Sequence, residues 1–312
     1  MLDGLTEPFT PMTEVDVAAA LRDSWGIEAT ALTRLDTERD DTFRVDRAGA
    51  APVLLKVAHP NDDPSLLELQ NLAMQRLADV DPELPVPRLL HSANIGGRAA
   101  RVLSWLPGEL MMDAPRSAAQ LRAAGETLGR LSRALAPLDH PAAHRVLLWD
   151  LQRVPLLVGE TDDRGLAAFI ESFAADVSPA LSALPHQLIH NDFHPANVLV
   201  DPADPTRISG VLDFGDAAHT ARVVDLGVAL AYVTPDEGSI LEAWRPLIDG
   251  YESVVPLLDA ERALIPVLAA ARQVQRVVIY LALGRALGEV RRAPRVRALF
   301  DRILGQLDDG NL

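Results

Sequence analysis

The sequence predicts an α+β chain of two lobes, a small β-rich N-lobe over 1–105 and a larger, mostly helical C-lobe over 106–312. Three observations carry this expectation. A chain of 312 residues is longer than one hydrophobic core usually serves. Short strand-like runs crowd roughly the first hundred positions. Pro107-Gly108 then breaks the pattern, and apolar residues recur at helical spacing from Pro115 onward.

The elements follow in order. Val15, Ala18, Ala19, Leu21 and Trp25 keep a helical period over Glu14 to Trp25, and Gly26 ends it. Strands are expected at Ala29 to Leu35, Thr42 to Asp46 and Pro52 to Val57, the last two joined by a turn through Gly49. Pro64 opens a helix to Leu77, and a strand pair, Arg88 to Ala93 and Arg98 to Trp105, flanks the turn at Asn94 to Gly97. A hinge is expected near Ser104 to Gly108. Helices are expected at Ala118 to Leu135, Arg164 to Phe173, Arg222 to Val233, Ile240 to Tyr251, Ala260 to Leu287 and Val296 to Leu307. Two β segments interrupt them, Asn197 to Asp201 and Arg207 to Asp213. Pro266 is expected to start or kink its helix.

Composition narrows the function classes. No stretch of about 18 uncharged apolar residues occurs, so neither a membrane span nor a membrane partner is expected. Met1 to Pro11 carries Asp3 and Glu7 but no basic residue, unlike a signal peptide. The chain has no cysteine, which excludes disulfides, thiolate metal sites and a cysteine nucleophile. Together these features suggest a cytoplasmic enzyme. A net charge of −15 argues against a nucleic-acid partner, which needs a basic surface. The acidity serves solubility or favours cationic substrates such as amines.

The chemistry concentrates in His190-Asn191-Asp192-Phe193-His194-Pro195-Ala196-Asn197 and in Val211-Leu212-Asp213-Phe214-Gly215-Asp216. Asp192 precedes Pro195 and so lies in a loop. Asn197 leads into one β run and Asp213 ends the next, so a hairpin would bring the two to one end with Asp192 beside them. An amide oxygen and a carboxylate form a hard-oxygen set suited to Mg²⁺. A further carboxylate can orient an acceptor hydroxyl and take its proton. Protein kinases use an Asp-x₄-Asn loop and an Asp-Phe-Gly segment in this way. His186, His190 and His194 are spaced as on one helical face and offer a rival zinc reading, but Pro185 and Pro195 bracket them.

This stretch resembles the catalytic loop of the aminoglycoside phosphotransferases and their relatives, among them choline, homoserine and hydroxylysine kinases. The likeness is specific over about residues 190–232, where Asp225-Leu226-Gly227 fits the following helix, and weaker over about 29–110. It implies a protein-kinase-like two-lobe fold and a small-molecule kinase that uses ATP or GTP with Mg²⁺. Asp192 would be the catalytic aspartate, and Asn197 and Asp213 the metal ligands. Lys56, alone in the apolar run Val53-Leu54-Leu55-Lys56-Val57, would hold the α- and β-phosphates, with Glu68 on the next helix as its partner and Gln70 a weaker choice. Ser104, Trp105 and Leu106 fall where backbone groups would read the purine edge. The phosphate-covering loop, Leu35 to Thr42, contains no glycine, but its backbone N–H groups near Thr37 to Asp41 could still contact phosphate. Asp225 is expected to cap or brace its own helix.

Thr37 to Val45, Glu68 to Asn71 and Ile208 to Asp216 look most like hydroxylysine kinases and the kinase-like domains fused to some class III aminotransferases. The implied acceptor is a hydroxyl on a small amine or amino acid. Asp216 could bind its amine or hold the metal segment, and Arg272 or Arg276 could bind a carboxylate or equally form surface ion pairs with acidic neighbours. Other acceptors (aminoglycoside, homoserine, choline) and a nucleotide-binding pseudokinase module are the alternatives. A kinase acting on proteins fits less well, because no Ala-Pro-Glu segment follows Asp213.

Overall fold

The computed structural model describes residues 9–37, 40–287 and 293–308. The N-lobe begins with α1 (Glu14–Trp25), closed by a Thr13–Asp16 capping box at its start and by Gly26 in the left-handed conformation at its end. Five antiparallel strands follow: β1 (Ala31–Leu35), β2 (Asp41–Arg47), β3 (Ala50–Val57), β4 (Leu89–Ile95) and β5 (Arg98–Ser104), in sheet order β1-β2-β3-β5-β4. Helix α2 (Pro64–Val80) leaves β3 and returns to β4, with Asp63 as its N-cap.

Strand alternation divides this sheet into two faces. Phe43, Val45, Val53, Leu55, Val57, Ala100 and Val102 pack with Val17 and Leu21 of α1 in a core belonging to the N-lobe alone. The opposite face carries Leu54 and Lys56 on β3, paired with Leu103 and Arg101 on β5. Leu103 joins the main core, as do Leu69, Met74 and Leu77 of α2. The chain boundary expected after residue 105 therefore falls at the end of β5, while the larger core runs across it.

Asp41 fixes the start of β2. Its buried carboxylate accepts from Arg34 and from Arg98 Nη1 at 2.7 Å, and from the Met12 N–H at 3.1 Å. Burial acts to raise its pKa, but the guanidinium donors outweigh that and hold it below the usual carboxylate value.

In the C-lobe, α3 (Ala118–Leu135) crosses α7 (Ile240–Glu252) at backbone contact. A Cβ on Gly125 would lie 2.0 Å from the Leu247 carbonyl oxygen, and one on Gly250 2.1 Å from that of Arg122. Two short segments, α4 (Arg164–Ser172) and α5 (Ser178–Ser182), precede the catalytic region. That region holds two small sheets: β6 (Glu109–Leu110) with β8 (Val198–Asp201) and β9 (Asp204–Val211), and β7 (His186–Ile189) with β10 (Ala218–Ala221). Helices α6 (Val223–Val233), α8 (Asp259–Leu287) and α9 (Ala293–Asp308) complete the lobe. Helix α8 begins upstream of Pro266, so that proline does not start it. Its stretch Asp259–Leu281 is long and apolar enough to cross a membrane by composition, yet 72% of its most apolar window is buried inside the fold.

The expected helices and the N-lobe strands are observed within a few residues of their expected bounds. Strands β6, β7 and β10 were not expected, being too short for any period to show. Strand β7 also removes the zinc reading, since His186 lies on a strand and His190 in the loop beyond it. His186 instead bonds Gln152 and the Leu184 carbonyl.

Asp41→Asn should lower stability by about 3 kcal/mol, as for one broken partner of a buried ion pair, read as a fall in the urea midpoint. A lowered folded pKa means this contribution is present above the unfolded carboxylate value of about 4 and fades as pH drops through the folded one. The variant should therefore lose less stability than the parent on acidification.

Candidate active site

The catalytic loop leaves β7 after Ile189 and is held by one carboxylate. Asp225, fully buried in the first turn of α6, accepts the backbone N–H of His190 at 3.1 Å and of Asn191 at 2.6 Å. The Asp225 side chain thus braces the loop and not, as the sequence suggested, its own helix. Burial pushes its pKa up to about 7, opposed by the two amide donors. His190 adds a second clamp. Its Nδ1 accepts from the Asp192 N–H at 3.2 Å and its Nε2 donates to the Leu212 carbonyl at 3.0 Å. Those roles fit a neutral ring, and burial lowers the His190 pKa accordingly. Asn191 takes the left-handed backbone conformation (φ 64°), which asparagine tolerates better than most residues.

Asp192, Asn197 and Asp213 come together as expected. Residue Val198 pairs with Val211 across the β8–β9 hairpin, and the Leu212 N–H donates to the Asn197 carbonyl at 2.8 Å. Asn197 Nδ2 donates to Asp192 Oδ2 at 2.7 Å, which turns the amide oxygen away from that carboxylate. Asp213 also sits at positive φ (59°), and its Oδ1 accepts from the Gly215 N–H at 3.0 Å. Strained backbone at a non-glycine residue marks a position fixed by its surroundings. The Asn197 amide oxygen and the remaining Asp213 oxygen form a donor set that could hold a hard divalent cation.

Arg272 Nη2 donates to Asp192 Oδ1 at 2.7 Å, and His194 Nε2 lies 3.4 Å from Oδ2. Burial acts to raise the Asp192 pKa, but His194 and Arg272 keep the group well below the usual carboxylate range. Arg272 is correspondingly committed. It is almost fully buried, donates also to the Trp149 carbonyl at 2.9 Å, and lies against the rings of Trp149 and Tyr232. The sequence offered Arg272 as a ligand for an acceptor carboxylate; the structure makes it a positioning residue for Asp192. Arg276 is held by Gln273 Oε1 at 2.8 Å and by the Tyr232 face, and makes no contact with Asp192. Asp216 differs from both. Its half-buried carboxylate makes no hydrogen bond or ion pair among the described residues. Burial pushes it up to about 7, with the Asp192 charge adding to the effect. Arg145 holds the segment around it through the carbonyls of Gly215 and Ala217, each at 2.7 Å.

The expected Lys56–Glu68 pair is absent. Glu68 is 67% exposed and faces His140 at 3.8 Å, because the inward side of α2 at this turn presents Leu67, Gln70 and Asn71. Lys56 bonds Asp40 Oδ2 at 3.1 Å instead. At the hinge, Ser104 ends the β3–β5 pairing, so Trp105 and Leu106 lie past the last paired residue. Arg44 covers the Trp105 ring at 4.9 Å. Sequence reasoning missed Arg101 and Asp40. For Arg101 a related signal was available, a cation set directly before the apolar pair Val102-Leu103 of its strand.

Comparison with known proteins agrees with this geometry. The Phosphotransferase enzyme family matches residues 32–257. The chain belongs to this family. It is 26% identical over 281 residues to a hydroxylysine kinase of Mus musculus, covering 78% of this chain and 75% of that one. A hydroxylysine kinase of Danio rerio is also 26% identical, over 271 residues, with 78% and 76% covered. Among solved structures, a microcompartment-associated aminopropanol kinase superposes with a TM-score of 0.74 at 18% identity, covering 96% and 99% of the two chains. An amicoumacin kinase in complex with AMP-PNP and Ca²⁺ gives 0.72 at 16% identity, covering 93% and 94%. The enzyme thus has the fold of small-molecule kinases.

Two outcomes test the loop of this phosphotransferase. Asp192→Asn should lower kcat by about 100-fold or more, the scale of a positioned acid–base group, with nucleotide affinity by calorimetry nearly unchanged. Asp225→Asn places an amide N–H₂ against one of two backbone N–H groups. It should cost about 100-fold in kcat through loop misplacement, with a smaller effect on nucleotide binding.

Proposed function

We propose that this phosphotransferase moves the γ-phosphoryl group of ATP or GTP, bound with Mg²⁺, to the hydroxyl of a small amine or amino acid of the hydroxylysine type. The observation that carries the acceptor class is the Asp216 carboxylate. It stands unpaired among the described residues, close enough to Asp192 for the two charges to raise its pKa. A half-buried carboxylate gains most from a cationic partner that arrives with its own proton. The hydroxylysine kinases and the aminopropanol kinase carry amino alcohols in their names, which supports the same reading.

Asn197 and Asp213 would hold the metal, which offsets phosphate charge when bound. The chain's own residues do the rest. Asp192 orients the acceptor hydroxyl in line with the phosphoryl group and takes its proton as the transfer completes. A loose transition state asks for positioning more than for a strong base, so a carboxylate held at low pKa by Arg272 and His194 suffices. Lys56 anchors the phosphates, and the backbone at Ser104 to Leu106 meets the base.

A turnover screen with ATP and GTP against hydroxylysine, homoserine, choline, ethanolamine, aminoglycosides and a neutral sugar tests the reading. Consumption of the sugar alone would sink it. With an amine acceptor, Asp216→Asn should raise the acceptor KM by about tenfold, as for a lost charge-assisted bond, and leave the nucleotide KM unchanged. Protons compete with the ammonium for Asp216, so kcat/KM should fall as pH drops below about 7, and the variant should lack that limb.

A further inference from the structure

The cleft face of the N-lobe sheet carries two cations. Arg101 stands directly opposite Lys56 in the β3–β5 ladder, so the two side chains leave the same face, about 5 Å apart at their Cβ atoms. Like charges so placed repel, and Arg101 acts to loosen the hold of Lys56 on its proton while Asp213 and Asp40 act to tighten it. A counter-charge is needed. Helix α2 does not supply it: Arg101 Nη1 donates to Asn71 Oδ1 at 3.1 Å and Nη2 to Gln70 Oε1 at 2.9 Å. Neutral amides satisfy the guanidinium's donors and orient it but leave its charge in place. Arg101 is 3% exposed, and among the described residues no carboxylate lies at ion-pair distance from it. The acidic groups acting on it are Asp40, Asp213 and Asp62. Two of these, Asp213 and Asp40, are also the ones that act on Lys56.

Asp213 is a candidate metal ligand, so a bound cation would take up its charge. That leaves Asp40, on the loop between β1 and β2. It contacts Lys56 at 3.1 Å, and Thr37 Oγ1 donates to its backbone carbonyl at 2.7 Å. This carboxylate occupies the lysine that phosphate oxygens need. Asp40 thus places an anion on the lysine that the nucleotide reading assigns to phosphate.

We propose that Lys56 and Arg101 together seat the nucleotide's phosphates, and that Asp40 is an internal counter-ion of this cation pair which the phosphates displace. The seat takes a polyphosphate carried by a divalent cation. The proposal rests on the nucleotide reading of the cleft and extends it to residues outside the expected lysine–glutamate pair.

Calorimetry with Mg²⁺ and a non-hydrolysable ATP analogue, on the full chain without acceptor, tests it. Asp40→Asn should bind the analogue several-fold more tightly, because no ion pair has to be broken first. Arg101→Gln should bind about tenfold more weakly, on the scale of a charged contact. In turnover it should raise the nucleotide KM more than it lowers kcat. Arg101→Lys keeps the charge but cannot bridge both amides, and should fall closer to the parent than Arg101→Gln. The double variant Gln70→Ala, Asn71→Ala removes the bridge but not the charge. If it loses as much affinity as Arg101→Gln, Arg101 merely ties down α2 and the seat is wrong. Unchanged or weaker binding by Asp40→Asn overturns the counter-ion. A parent protein that binds no analogue overturns the nucleotide reading itself.

Discussion

A single carboxylate joins the helical part of the C-lobe to its chemistry. Asp225 sits in the first turn of α6, and both its oxygens bind backbone N–H groups of the loop that follows β7. Those two residues, His190 and Asn191, could otherwise swing at the end of a four-residue strand. Once they are held, His190 can reach forward to Asp192 and across to the Leu212 carbonyl. The second contact ties the loop to the segment carrying Asp213. The three oxygen-bearing side chains thus depend on one buried group that touches none of the reacting atoms.

A buried carboxylate is costly unless its oxygens are filled. Asp225 meets that demand with backbone amides, which cannot be lost by substitution. Asp192 meets it with Arg272, whose guanidinium lies against Trp149 and Tyr232. Asp216 makes no hydrogen bond or ion pair among the described residues, though the charges of Arg272 and Arg145 act on it. Of these three carboxylates, two are filled by hydrogen bonds from within the protein and the third is not.

Much of this was legible in the sequence. The Asp192, Asn197 and Asp213 spacing was read correctly because a short hairpin leaves little freedom: one end of a loop-strand-turn-strand unit can bring its polar residues to one place only. The long helices were read because their apolar faces repeat over several turns. The partner of Lys56 was misread for a matching reason. Glu68 is at a plausible distance along the chain, but a helix shows a given face for only one residue in three or four, and Gln70 and Asn71 hold the inward phase. Cross-strand neighbours such as Lys56 and Arg101 depend on register between segments far apart in sequence, which periodicity does not encode. The roles of Arg272 and Asp225 rest on contacts across 80 and 34 to 35 positions, and no local pattern announces those.

Helix α2 is fastened to both lobes, to β5 through Arg101 and to α3 of the C-lobe. Arg130 of α3 grips Asp81 through two bonds at 2.7 and 2.8 Å, and Arg76 Nε donates to the Ala134 carbonyl at 2.8 Å. Met74 and Leu77 are sunk in the core shared with α3. Swinging this helix outward would open a dry interface and unpair a half-buried ion pair together. Displacing α2 would therefore cost these contacts together, and no glutamate of α2 holds Lys56, which pairs with Asp40.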